Sequence, residues 1–303
     1  MKTLYITDLD GTLLNSDVAV SDASIEMLNR ALDMGALISV ATARTPATLC
    51  NLLKNIRLTL PIVAMTGATL WDRESNTYSH VCTFPPEKVD EIRKVYAEFD
   101  LPTFIYTLRD NMMHIYHQGP LSDPERAFVA ERLNSPYKTF HLCDPALASF
   151  NFGKSEITSD APVAIPEHID NAILFFGMQP TGPDHPAFEA LKKVEGINPM
   201  FYPDANSPEV TMIEAFPRHA SKRNGIRILK QLTGADRVVV FGDNLNDLPM
   251  FEEADTSVVV ANALPEVKEK ADLIIGSHDE DAVAAFILED TLRNSPTPLM
   301  TEF

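Results

Sequence analysis

The chain has 303 residues, 45% of them hydrophobic, so it is long enough to bury a sizeable core in one large domain or two modest ones. Its formal net charge of -18 at pH 7 argues against nucleic acid as a partner, because binding a phosphate backbone requires a dense field of lysine and arginine. A small anionic substrate is compatible with this charge, since a bound cation and a few basic groups can reverse the sign locally.

The sequence shows neither a signal-like start nor an apolar run near the roughly 18 residues that a membrane span needs, so we expect a cytoplasmic protein with no membrane partner. Cys50, Cys82 and Cys143 are widely separated and lack Cys-x-x-Cys spacing, which predicts reduced thiols. Charge and composition leave the oligomeric state open.

The first eighty residues alternate between strand and helix patterns. Strands that are separated by single helices favour a parallel sheet. The predicted elements are a strand over residues 4–6, a helix that Ser21 or Asp22 caps and Gly35 ends, a strand over 37–41, a helix after Thr45-Pro46, and a strand over 61–65.

From about Leu70 the pattern changes to strand pairs mixed with helices, which predicts an α+β layer. The predicted elements are a hairpin over 70–72 and 77–81, a helix over 89–99, a hairpin over 103–116, a helix over 123–133, a strand over 172–176, a helix over 185–194 and a strand over 210–216.

The strand and helix alternation returns at Ser221. A helix runs to Leu232 with Gly234 after it, and strands follow over 238–241, 257–260 and 273–275. The simplest interpretation is one sheet domain, residues 1–84 and 217–303, interrupted by an inserted domain, residues 85–216. We expect the tail from Ser295 to be disordered.

Polar residues follow the predicted parallel strands, at the edge of the sheet where ligands of open α/β folds bind. On a strand, Asp8 and Asp10 would leave on the same side, with Gly11 permitting a turn beneath them. Two unit charges about 4 Å apart interact by roughly 4 kcal/mol at an effective dielectric near 20, so this pair requires a cation, a shared proton or solvent. The other residues at this edge are Thr42, Arg44, Thr66, Gly67, Ala68, Asp243, Asn244, Asn246 and Asp247, with Lys222 at the start of a nearby helix.

Hard oxygen donors without histidine or cysteine favour Mg²⁺, which commonly shares its coordination shell with substrate phosphate. A calcium-binding EF-hand is disfavoured, because Gly11 would be fourth in the loop and Ala19 stands where a bidentate glutamate is needed.

In order and spacing, four motifs resemble those of the haloacid dehalogenase-like phosphatases, and among them the Cof-type sugar-phosphatase branch. They are Asp8-Leu9-Asp10-Gly11-Thr12, Thr42-Ala43-Arg44, Ser221-Lys222 and Gly242-Asp243-Asn244-Leu245-Asn246-Asp247. The resemblance implies a Rossmann-like parallel-sheet core with an inserted α+β cap domain that closes over the site. It also implies that Asp8 attacks phosphorus to form an aspartyl-phosphate, which water then hydrolyses, and that Asp10 acts as general acid and base.

By the same resemblance, Mg²⁺ would bridge Asp8, the Asp10 carbonyl, Asp243 and a phosphate oxygen. Asp247 would orient Lys222 or a metal-bound water. The expected phosphate- and substrate-binding residues are Gly11, Thr42, Arg44, Lys222 and Asn246, and for Arg44 a structural ion pair is an equal alternative.

Several positions differ from the pattern that is usual in this branch, and they bear on the substrate more than on phosphoryl transfer. These positions are Ala43, Thr66, Arg223, His278 and Ala282. We therefore expect a magnesium-dependent phosphatase for a small phosphate monoester, a sugar phosphate or a related metabolite. The alternatives are a phosphomutase that uses the same aspartyl-phosphate and a metabolite-binding regulatory protein of low activity.

Overall fold

The computed structural model describes residues 1–148, 154–159, 163, 166, 169–180, 182, 185–203 and 209–294. The predicted tail from Ser295 lies outside the described residues. The chain forms two compact units, one of Met1–Ser79 with Ser221–Phe303 and the other of His80–Ala220. The boundaries predicted from the sequence are 84/85 and 216/217. Within the described ranges, no helix has the length and apolar character needed to cross a membrane.

The first segment begins with the predicted strand and closes with the predicted hairpin. Ser21 caps the first helix, since its side chain accepts a hydrogen bond from the Ser24 N–H at 2.9 Å. The elements are β1 (Thr3–Thr7), α1 (Asp22–Asp33), β2 (Leu37–Val40), α2 (Pro46–Leu52), β3 (Ile62–Ala64), β4 (Thr69–Asp72) and β5 (Thr77–Ser79).

The inserted segment contains every element that the sequence predicts there, together with several that it does not. The elements are α3 (Pro86–Glu98), β6 (Thr103–Arg109), β7 (Met112–Pro120), α4 (Asp123–Ala130), β8 (Lys138–Cys143), α5 (Pro145–Ala148), β9 (Glu156–Thr158), β10 (Ala172–Pro180), α6 (Pro186–Leu191), β11 (Ile197–Pro203) and β12 (Val210–Pro217).

The last segment returns to strands and helices in alternation. Gly234 ends its first helix in the left-handed conformation, with φ of 61°. The elements are α7 (Lys222–Thr233), β13 (Arg237–Gly242), α8 (Leu248–Phe251), β14 (Thr256–Val259), α9 (Pro265–Lys268), β15 (Leu273–Ile274) and α10 (Ala282–Asn294).

The core of the first unit is a parallel sheet in the order β15-β14-β13-β1-β2, which confirms the predicted α/β fold. Apolar side chains of β1 and β13, such as Ile6 and Val240, pack with Ile226 and Leu229 of α7. The strand β3 differs from its prediction, since it pairs antiparallel with β4 and joins the end of β2 through an isolated parallel bridge between Val63 and Ala41.

The second unit is built on a mixed sheet in the order β11-β12-β10-β6-β7-β8-β9, with α3 and α6 contributing to the core on one face. Strands β8, β9 and β11 are not predicted by the sequence pattern. Pro199 lies within β11, and a proline cannot donate to a strand ladder, so it argues against a strand. The structure tolerates it because β11 is the edge strand of this sheet.

Candidate active site

Three neighbouring parallel strands of the first unit bring the predicted motifs to one edge. Asp8 follows β1, Thr42 lies two residues beyond β2, and Asp243 follows β13. The N–H of Asp8 continues the ladder by donating to the Phe241 carbonyl at 2.9 Å. Because β1 pairs with both β2 and β13, the three residues belong to the same carboxyl edge.

Lys222 reaches this edge from the first turn of α7 and is 1% exposed. Its Nζ donates to Oδ1 of Asp8 and to Oδ1 of Asp247, each at 2.7 Å. The helix begins close to the turn after β3, where a Cβ at Gly67 would lie 2.1 Å from the Ser221 carbonyl oxygen. Gly67 therefore permits a close backbone approach at the point where the lysine enters the site.

Asp247 is fully buried, and both of its carboxylate oxygens accept hydrogen bonds from the protein. While Oδ1 accepts from Lys222, Oδ2 accepts from the backbone N–H groups of Asp243 and Asn244 at 3.0 and 3.1 Å. These contacts suit a residue that orients Lys222 and shapes the loop that carries Asp243.

Asp243 is partly buried and accepts a hydrogen bond on Oδ1 from the Thr12 hydroxyl at 2.7 Å. Gly11 has φ of 74°, and a Cβ there would lie 2.6 Å from Oδ2 of Asp243. A side chain at position 11 would therefore collide with Asp243, which explains the glycine on steric grounds. Its predicted contact with phosphate is a separate role.

Oxygens of Asp8, Asp243 and Asp247 lie within 4.8 Å of one another, so these carboxylates could hold a metal ion. Burial raises the pKa of Asp243 to about 6 and raises that of Asp8 as well, although Lys222 opposes the shift at Asp8. Burial by itself would lower the pKa of Lys222, but Asp247 and Asp8 raise it above its ordinary value. The buried carboxylates of Asp8 and Asp247 and the partly buried one of Asp243 lie around a single ammonium group. A set of carboxylate oxygens with so little positive charge nearby fits Mg²⁺.

Asp10 lies in different surroundings from Asp8, contrary to the expectation of two carboxylates pushed together. The acidic neighbours that affect Asp8 are Asp247 and Asp243. Asp10 lies in the turn Leu9–Leu13, beyond the end of β1 at Thr7, so the alternation of a strand no longer governs its side chain. Its carboxylate accepts from Nε and Nη2 of Arg44 at 2.8 and 2.6 Å.

The turn after β3 is strained. Met65 and Thr66 have φ of 53° and 56°, a region that is rare for residues other than glycine and unfavourable for β-branched side chains. The turn is held by hydrogen bonds from the N–H of Met65 to the Arg44 carbonyl and from the N–H of Thr66 to the Thr42 carbonyl, at 3.1 and 2.9 Å. The Thr66 hydroxyl is buried and has no hydrogen-bond partner within the part of the chain that the structure describes.

Thr42 and Asn246 are the remaining residues with a predicted contact to phosphate. Thr42 is buried, and its hydroxyl oxygen accepts from the Arg44 N–H at 3.1 Å, which leaves the hydroxyl proton available for another acceptor. Asn246 lies in the turn after Asn244, and its Oδ1 is buried with no hydrogen-bond partner among the described residues. Its contact with phosphate stays a prediction.

Two residues near the site were given no role by sequence reasoning. Thr12 holds Asp243, and Asn262 donates to the Gly11 carbonyl at 2.7 Å. Thr12 belongs to the first motif, so its position offered a signal. Asn262 is 251 residues away from its partner, and no local pattern marks it.

Comparison with known proteins gives a consistent answer. The chain is 29% identical over 294 residues to the 5-amino-6-(5-phospho-D-ribitylamino)uracil phosphatase YwtE of Bacillus subtilis, covering 95% of this chain and 97% of the relative. It is 25% identical over 299 residues to the pyridoxal phosphate phosphatase YbhA of Escherichia coli, covering 92% and 95%.

Solved structures share the fold. A haloacid dehalogenase-like hydrolase from Bacteroides thetaiotaomicron superposes with a TM-score of 0.70 at 23% identity, covering 96% of this chain and 100% of that one. A sugar phosphatase of subclass IIB superposes with a TM-score of 0.64 at 17% identity, covering 96% and 99%. The model of the haloacid dehalogenase-like hydrolase family matches residues 5–287, so this chain belongs to that family and is a phosphoric monoester hydrolase.

Proposed function

We propose that this protein is a magnesium-dependent phosphatase that acts on a small phosphorylated metabolite through an aspartyl-phosphate at Asp8. The observation that carries the proposal is the buried Asp8 carboxylate, which Lys222 holds through Oδ1 beside the carboxylates of Asp243 and Asp247. A carboxylate fixed in this way is oriented as a nucleophile and lies among groups suited to a phosphoryl dianion.

In the first step, Oδ2 of Asp8 attacks phosphorus while the bond from phosphorus to the leaving oxygen breaks, and Asp10 gives its proton to that oxygen. In the second step, a water molecule attacks the same phosphorus and passes a proton to Asp10. The bond between phosphorus and Asp8 then breaks, which releases inorganic phosphate and restores both carboxyl groups. Oδ2 is assigned because Oδ1 accepts from Lys222.

The Asp8 carboxylate, the Asp10 main-chain carbonyl and Asp243 would hold Mg²⁺. When bound, this cation neutralises charge on the carboxylates and on the phosphoryl oxygens. The raised pKa of Asp243 supports a site that requires a cation. Asp247 is assigned to orientation of Lys222, since protein donors already engage both of its oxygens.

The phosphoryl oxygens would accept hydrogen bonds from Lys222, from the Thr42 hydroxyl and from Asn246. Lys222 is buried and rigidly held by two carboxylates, so it presents its charge without a reorganisation cost during the reaction. The Gly11 backbone is assigned to the same phosphate-binding region, because its conformation brings the first motif against Asp243.

The relatives support a proposal about the substrate class. Those described above are named as phosphatases of a ribitylaminouracil phosphate and of pyridoxal phosphate, both small phosphorylated metabolites. We propose the same class for this chain, sugar phosphates included. The insert, residues 85–216 in the sequence interpretation, is proposed as the cap domain that selects among them.

The test is release of inorganic phosphate from 4-nitrophenyl phosphate by the wild type and by Asp8→Asn, with Mg²⁺ and with EDTA. We expect metal-dependent turnover by the wild type and none by the variant. Asp33→Asn is the matched control, because Asp33 is an exposed aspartate paired with Arg57 outside the site. Turnover retained by Asp8→Asn would exclude the nucleophile, and an isomerised sugar phosphate in place of free phosphate would identify a phosphomutase.

A further inference from the structure

A bidentate ion pair links the first and second motifs. Nε of Arg44 donates to Oδ2 of Asp10 at 2.8 Å, and Nη2 donates to Oδ1 at 2.6 Å. Two parallel N–H···O bonds fix both the position and the plane of a carboxylate, which a single contact does not. The side chains of Arg44 and Asp10 are 22% and 45% exposed, and ion pairs this exposed contribute little to stability.

The main chain of Arg44 is anchored on both sides of its side chain. Its N–H donates to the Thr42 hydroxyl oxygen at 3.1 Å, and its carbonyl accepts from the Met65 N–H at 3.1 Å. The guanidinium therefore extends from a fixed backbone. Its partner is fixed as well, because the turn that carries Asp10 is held by the bond from Asn262 to the Gly11 carbonyl.

We propose that Arg44 is a positioning residue that holds the Asp10 carboxyl group towards the leaving oxygen, and that it does not bind the substrate phosphate. This inference rests on the proposed function. The Nε proton and one Nη2 proton of Arg44 bind Asp10, so a phosphate contact through these same protons would break the pair. Each Asp10 oxygen has two acceptor sites and gives one to Arg44, so Asp10 can still meet the leaving group.

The first test uses kcat/KM for a series of aryl phosphates, because this parameter reports transfer to Asp8 and not the later hydrolysis. Nitrophenolate leaves readily without a proton, whereas phenolate is more basic and depends on general acid catalysis. We expect Arg44→Gln to lower kcat/KM for phenyl phosphate by about 100-fold, the lower range for loss of a general acid, and to affect 4-nitrophenyl phosphate by less than about tenfold.

The variant Arg44→Lys separates the effect of the two parallel hydrogen bonds of the guanidinium from the effect of its positive charge. Lysine keeps the positive charge but cannot make the paired bonds, so we expect the same steep dependence on the leaving group as for glutamine. Arg57→Gln is the matched control, since Arg57 is an exposed arginine that pairs with Asp33 away from the site, and its kinetics should equal the wild type.

A double-mutant cycle with Asp10→Asn and phenyl phosphate completes the experiment. If Arg44 acts through Asp10, adding Arg44→Gln to Asp10→Asn changes kcat/KM by no more than about threefold. The proposal would be overturned if Arg44→Gln lowered kcat/KM equally for all esters and raised KM, and if the losses of the two single variants multiplied in the double variant. That result would identify Arg44 as a substrate contact. The proposed function fails separately, through turnover by Asp8→Asn or absence of turnover by the wild type.

Discussion

Lys222 and Asp247 form a fully buried ion pair, with 2.7 Å between Nζ and Oδ1. The other oxygen of Asp247 accepts from the backbone of Asp243 and Asn244, so the lysine is coupled to the loop that carries a proposed metal ligand. A change at Lys222 should therefore affect both stability and the phosphate site.

Replacing Lys222 by methionine leaves Asp8 and Asp247 buried without their cation. We expect the free energy of unfolding of the metal-free protein to fall by about 3–5 kcal/mol, and phosphatase activity to be lost. Urea denaturation measures the first effect. Lys230→Met is the control, because Lys230 pairs with Asp255 at the surface and should change stability by less than about 1 kcal/mol. Equal stability of Lys222→Met and the wild type would contradict the prediction.

Binding of Mg²⁺ should depend on pH through Asp243. Burial raises the pKa of this group from its ordinary value of 3.8 to about 6 in the metal-free protein, and a metal ligand must be deprotonated. Since the folded protein retains this proton longer than the unfolded chain, the group lowers stability as pH rises from 3.8 to about 6. Mg²⁺ should therefore raise the melting temperature more at pH 7 than at pH 5.

The control for this measurement is Asp243→Asn, which removes the titrating ligand. We expect the Mg²⁺-dependent shift of its melting temperature to be much smaller at both pH values. A shift equal to that of the wild type would show that Mg²⁺ stabilises the protein from another site.

Replacing Thr66 by asparagine should stabilise the protein. Thr66 has φ of 56°, which is unfavourable for a β-branched residue, whereas asparagine adopts this region more readily. We expect a gain of about 1 kcal/mol in the free energy of unfolding, measured with urea. The variant Thr66→Val keeps the branched Cβ and removes the hydroxyl. An equal gain in its free energy of unfolding would show that the hydroxyl, and not the backbone conformation, is the cause.

Glu214 should make the stability of the second unit depend on pH. Burial raises the pKa of this group from 4.5 to about 7, although a hydrogen bond from Tyr202 opposes the shift. As the pH rises, this carboxyl group ionises at a lower pH in the unfolded chain than in the folded protein. Its contribution to the free energy of unfolding therefore falls between pH 4.5 and about 7 and stays unfavourable above that range. The full effect is about 3 kcal/mol.

Glu214→Gln tests this prediction, because the amide has the same shape and no charge. We expect the variant to exceed the wild type in stability at pH 8 and to lose most of this advantage at pH 4.5, in urea unfolding followed at both values. An advantage that does not vary with pH would contradict the assignment.

The sequence predicted the parallel sheet because apolar strand patterns, such as residues 4–6 and 238–241, alternate with single helices, and it predicted the site because polar residues follow those strands. It did not predict β11, since Pro199 is a poor strand residue unless the strand lies at an edge, which only the assembled sheet reveals. An ion pair of Arg44 was one of two alternatives that the sequence left open, but its partner, Asp10, was hidden. The pairing depends on the directions of two side chains that leave a turn and a loop, for which strand alternation gives no rule.

The parallel sheet also determines an order of assembly during synthesis. The partners of β1 are β2, which follows it closely, and β13, which begins at Arg237 after the whole of the second unit. The second unit is continuous in sequence, so its residues leave the ribosome before β13 does. Until Arg237–Gly242 emerge, one side of β1 is an open strand edge, and a nascent chain that stalls within the insert exposes it to pairing with other chains.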